Sequence, residues 1–78
     1  MTEDEIERRL AAVLDEAAPN HRERAGRSDE IGLRVIDVGG ELLVHARVPD
    51  RAEHGRFLIG IRRQFGDVAV QLQTGGRP

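Results

Sequence analysis

Apolar residues recur at a different period in each stretch of the chain, and each period names an element. Ile6, Leu10, Val13, Leu14 and Ala17 fall three and four apart, the stripe of an amphipathic helix. Thr2 and Glu5 form a capping box at its start, and Glu3, Asp4 and Glu5 lie on the positive end of the helix dipole. Pro19 and Asn20 stop it, which predicts a helix over residues 2–18. Residues 19–30 are polar apart from Pro19, Ala25 and Gly26, and read as a solvated loop.

From Gly32 the period becomes two. GLRVIDV and ELLVHARV flank Gly39-Gly40, a pair suited to the positive φ of a tight primed turn, so residues 31–48 predict a hairpin. In the second arm Leu42, Val44, Ala46 and Val48 share one face, with Glu41, Leu43, His45 and Arg47 on the other. In the first arm Leu33 and Val35 oppose Arg34, Ile36 and Val38. Residues 50–65 fit two periods. As a helix, Asp50 caps and His54, Leu58, Ile61 and Phe65 make a stripe; as a strand, Phe57, Ile59 and Ile61 alternate. The run RRQF breaks that alternation and Gly66-Asp67 suits a helix stop, so a helix over 50–65 is expected. VAVQLQ, residues 68–73, alternates again as a strand, and residues 74–78 read as a flexible tail.

This order predicts a single α+β domain over residues 1–78, a two-layer α-β-β-α-β sandwich. Its three-stranded mixed sheet is expected in the order 2-1-3, with both helices on one face. The helices then cover Leu33, Val35, Leu42, Val44, Ala46, Val48, Val68, Val70 and Leu72. Uncovered, the other face shows Arg34, Ile36, Leu43, His45, Arg47, Gln71 and Gln73. Ile36 and Leu43 there make an apolar spot rimmed by hydrogen-bonding groups, the composition of a docking surface. Two open sheet edges add to it.

Composition sharpens the expectation of a partner. With 78 residues, two phenylalanines and no cysteine, the core is thin and aliphatic and cannot be stapled by disulfides. A chain this short buries only about 60% of its unfolded surface. A homo-oligomer, or an adaptor docked on a larger protein, is therefore expected. The net charge of −2 gives no strong field toward nucleic acid or an anionic membrane. No apolar run is long enough for a transmembrane segment and the N-terminus is acidic, so a cytoplasmic location is expected. All twelve basic residues are arginine, which fits either anion recognition or a GC-rich coding bias, the second being favoured.

Chemistry has little to work with. His21, His45 and His54 are the only histidines, and even with Asp37 or Glu41 they do not promise the three or four convergent ligands of a metal site. Ser28 is the sole serine and lies in the polar loop, and cysteine, lysine and tyrosine are missing. No catalytic residue, metal or cofactor is assigned, and an enzyme is not expected. The alternative is nucleic acid: Arg51, Arg56, Arg62 and Arg63 against Glu53 could track phosphates along a helix flank. The open face, however, lacks stacking aromatics.

The hairpin IGLRVIDVGGELLVHARV, the polar start PDRAEH, the Leu58/Ile61/Phe65 stripe and FGDVAVQLQ together resemble a BON domain over residues 31–73. That resemblance implies an α-β-β-α-β module that binds lipid, membrane or partner protein. No glycine stands two residues before Val48, where that family typically has one. VLDEAAP followed by the hairpin is similar to the NifU C-terminal domain, without its Cys-x-x-Cys, so no iron–sulfur role carries over. AEHGRFLIGIRRQFGDVAVQL is similar to the cytoplasmic domain of cation diffusion facilitators, without that family's metal-binding histidines.

Overall fold

The computed structural model describes residues 1–75; the last three positions of the expected tail, 76–78, lie outside the described residues. The elements are α1 (Glu3–Ala17), β1 (Gly32–Val38), β2 (Glu41–Arg47), a 3-10 turn at Arg51–Glu53, α2 (His54–Phe65) and β3 (Ala69–Gln73). Thr2 caps α1 through its hydroxyl, which accepts the Glu5 amide at 3.1 Å. Gly39 and Gly40 both take positive φ, 61° and 90°, and the Asp37 carboxylate accepts the Gly40 amide at 2.9 Å. Asp50 caps the 3-10 turn by accepting the Ala52 amide, and Gly66 ends α2 with φ 76°.

The α+β class, with two helices and a three-stranded mixed sheet, is as expected, but the strand order is not. The sheet runs β1-β2-β3: β3 lies parallel to β2 instead of flanking β1. The right-handed crossover rule limits the handedness of the connection and does not choose which edge the third strand takes. The second arm of the hairpin makes the choice. Val44, Ala46 and Val48 are all fully buried, so β2 is the strand that needs a neighbour on each side. The Val48 amide extends the pairing by donating to the Gln73 carbonyl at 2.7 Å.

One hydrophobic cluster fills the space between helices and sheet. Val13, Ala17 and Ala18 meet Phe57, Ile61 and Phe65 over Val44, Ala46 and Val48, with Leu33, Val35, Val70 and Leu72 at the margins. Phe57 leads the α2 stripe; Leu58, the expected member, is only half-buried. Both stripes are helical, but the one through Phe57 buries an aromatic ring, and that larger apolar area decides the rotation. Leu42, also expected inside, is half-buried beside the turn and stands outside the cluster.

The helices pack antiparallel, and each is capped by an arginine of the other. Arg56, in the first turns of α2, donates its Nε to the Ala17 carbonyl at 3.0 Å. Arg9 donates to the Gln64 carbonyl and binds the Glu5 carboxylate at 2.9 Å. A C-terminal carbonyl of each helix, lacking a partner within its own helix, thereby receives a cation. Gly60 sits where the helices touch, its missing Cβ 3.4 Å from Val13 Cγ1.

Residues 19–30 are more than a solvated loop. They fold as successive turns in which the amides of His21, Glu23, Arg24, Arg27 and Glu30 each bond the carbonyl three residues back. Arg24 is 4% exposed and Glu53 is 7% exposed. The guanidinium of Arg24 grips that carboxylate in a fork, at 2.9 and 3.0 Å, and its Nε donates to the Asp29 carbonyl at 2.9 Å. The Glu53 carboxylate holds the Arg24 guanidinium above its ordinary range, so it stays charged.

Candidate interaction face

Pairing register assembles the side of the sheet that the helices leave bare. Arg34, His45 and Gln71 stand in one row across the three strands, and Ile36, Leu43 and Ala69 in the next. Gly32, Arg47 and Gln73 form the row on one side, Val38 and Glu41 the row on the other. All seven residues expected on this face are therefore together, in spite of the changed strand order. Parity explains why: the side on which a strand residue points depends on its place in the two-residue pleat, not on its neighbour.

Neither Ile36 nor Leu43 belongs to the core cluster, and each is half-buried only by its neighbours. Val38, on the same face, is 58% exposed. A hollow of about 210 Å³ lined by Val38, Glu41, Leu42, Leu43 and Ala69 opens at the turn end of the face. Among the described residues, the side chains of Arg34, Glu41, His45, Arg47, Gln71 and Gln73 make no hydrogen bond or ion pair. Arg47 lies beside Gly32, where a Cβ would meet the Arg47 Cβ at an ordinary contact of 3.7 Å.

The arginines of the alternative site are placed differently. Arg56 serves the Ala17 carbonyl and approaches Glu53 at 3.5 Å, Arg62 meets Asp67 at 3.4 Å, and Arg63 pairs with Glu16. Three of the four thus have carboxylates within the fold, and Arg51 alone has no such partner among the described residues. The histidines are scattered. His21 shares a hydrogen bond with Asp15 at 2.8 Å, His54 donates Nε2 to the Val48 carbonyl at 2.8 Å, and His45 lies on the open face. No group of three or more metal-ligating side chains occurs among the described residues. A polar hollow at Glu5, Arg8, Arg9 and Gln64 is where Arg9 crosses to α2.

Sequence reasoning missed the Arg24–Glu53 pair, whose members are 29 residues apart with no periodic signal to link them. Comparison with protein-family models, curated proteins and solved structures finds no match for this chain. No helix among the described residues is long and apolar enough to cross a membrane.

Proposed function

We propose that this chain is a non-enzymatic interaction module, in the manner that its BON-like pattern implies. It docks a larger protein or another copy of itself through the open sheet face. Ile36 and Leu43 act as apolar anchors, with Arg34, His45, Arg47, Gln71 and Gln73 as the polar rim. The observation that carries this is the state of those side chains: one uncovered face gathers apolar groups with donors and acceptors unused within the fold. Elsewhere most arginines are consumed in capping and pairing, which also weakens the nucleic-acid alternative. Phosphate would have to displace Glu16, Glu53 and Asp67 from Arg63, Arg56 and Arg62.

The test is Leu43→Glu, which places a carboxylate in the apolar row without touching the core. It is expected to abolish association, seen by light scattering or by a photo-crosslinker at a neighbouring face position, while helical circular dichroism is unchanged. Association that survives Leu43→Glu refutes the proposal. Retention on heparin at low salt, lost in Arg51→Ala and Arg62→Ala, would favour the alternative instead.

A further inference from the structure

Resting on that reading, we infer that the occupant of the open face is a second copy of this chain. The two copies pack sheet to sheet about a two-fold axis crossing β2 at Leu43, with Glu41 of each protomer set against His45 and Arg34 of the partner subunit.

Charge order along the face leads to this axis. Glu41, Leu43, His45 and Arg47 follow one another on β2 at intervals of two residues, about 6.6 Å each. Arg34 stands beside His45, and Val38 beside Glu41. The face therefore runs from an acidic end, through an apolar row, to a basic end. A two-fold axis lying across the strands at Leu43 exchanges the levels on its two sides. Leu43, Ile36 and Ala69 then meet their own counterparts, and the Glu41 level falls on the His45 level. Neighbouring strands are only about 4.8 Å apart, so the long side chain of Arg34, one strand away, reaches the same carboxylate.

Symmetry makes this contact twice per dimer, because a two-fold interface is isologous. The competing axis, along β2, also lays the apolar rows together. It stacks Glu41 on Glu41 and Arg47 on Arg47, however, and those like charges repel. Glu41, His45 and Arg34 have no partner within the protomer among the described residues, so they enter the interface uncommitted. The hollow beside Leu43 takes the Leu43 side chain of the partner subunit.

Area sets the strength. Three strands about 4.8 Å apart and about 20 Å long give a face of roughly 300 Å² in projection. Two such faces fall short of the ~1,200–2,000 Å² that stable interfaces bury. The dimer therefore belongs with the small, transient interfaces.

The chain has no cysteine, so Leu43→Cys introduces its sole thiol. Packed sheets stand about 10 Å apart, so an axis through this position faces the two thiols across a gap that a short bismaleimide spans and a disulfide does not, whereas Gln73→Cys, on the same face, is carried past the partner's turn. Treatment with a short bismaleimide at about 100 μM protein is expected to give a covalent dimer of the first variant and not of the second. Glu41→Arg and Arg34→Glu are each expected to weaken self-association at least tenfold, and their equimolar mixture to recover it as heterodimers in sedimentation equilibrium. Equal crosslinking of both cysteine variants, no heterodimer in the mixture, or a wild-type monomer at about 1 mM overturns the inference. A wild-type monomer that still docks a larger protein, and loses it in Leu43→Glu, overturns the dimer alone. A dimer indifferent to Leu43→Glu overturns both the dimer axis and the face.

Discussion

Replacing Arg24 with methionine removes the cation and leaves the Glu53 carboxylate buried, with 7% of that residue exposed. Two charge-assisted hydrogen bonds, at 2.9 and 3.0 Å, disappear with it. Breaking a buried pair by deleting one partner costs about 3–5 kcal/mol, because the remaining charge has lost both water and its counter-ion. Arg56 still stands 3.5 Å from Glu53, and in a fold whose radius of gyration is 12.0 Å water is never far. The lower end of the range, about 3 kcal/mol, is therefore expected. For a domain of this size that is a fall in Tm of about 12–24 °C. Circular dichroism at the helix band, with urea titration at neutral pH, measures it. The double variant Arg24→Met with Glu53→Leu removes both charges and is expected to recover most of the loss. A loss under about 1 kcal/mol for Arg24→Met, or a double variant worse than the sum of its singles, refutes the reasoning. Because the Arg24 pKa is raised on folding, its contribution is present across neutral pH and fades only in strong alkali.

Three further outcomes are expected. The Arg9 guanidinium holds the Glu5 carboxyl below its ordinary 4.5, so the pair stabilises above that pH and its contribution is lost as pH falls through the lower folded value. NMR titration should show this low midpoint return to the ordinary one in Arg9→Ala, and an unmoved midpoint counts against the assignment. Gly60→Ala sets a Cβ 3.4 Å from Val13 Cγ1, an ordinary contact, and raises helix propensity. Stability should rise by up to about 1 kcal/mol, whereas Gly60→Leu should lower Tm by wedging the helices apart; a fall for alanine would show that the crossing has no slack. Gly40→Ala forces a side chain into φ 90° and should cost about 1–2 kcal/mol in urea titration, with no cost if the turn can re-form otherwise.

The local elements were legible because each has its own chemistry. Thr2 with Glu5, the Gly39-Gly40 pair and the alternation from Leu42 to Val48 act over a few residues, and nothing distant overrules them. The interaction face was legible for the same reason, since the two-residue pleat assigns every strand side chain to a side. Strand order was not, because the helical connection from Arg47 to Ala69 reaches either edge and only burial of β2 between two neighbours settles it. The facing of α2 was missed at one position: Phe57 and Leu58 lie about 100° apart, one on each side of the line that Ile61 and Phe65 share, so both fit the period and only Phe57 is buried. Arg24 was least legible: in a run of charged residues, a buried arginine and a solvated one are written alike.

The bond from Arg9 to the Gln64 carbonyl spans 55 residues of chain. During synthesis α1 leaves the ribosome before α2, and its apolar stripe has no second helix to cover it until residues 54–65 have followed. The hairpin, closed by two glycines, can form meanwhile from its own contacts. Order of emergence and order of consolidation therefore part for α1: it is made before α2 and secured only with it. A pause in translation before Phe57 would leave Val13 and Ala17 uncovered by α2 for its whole duration.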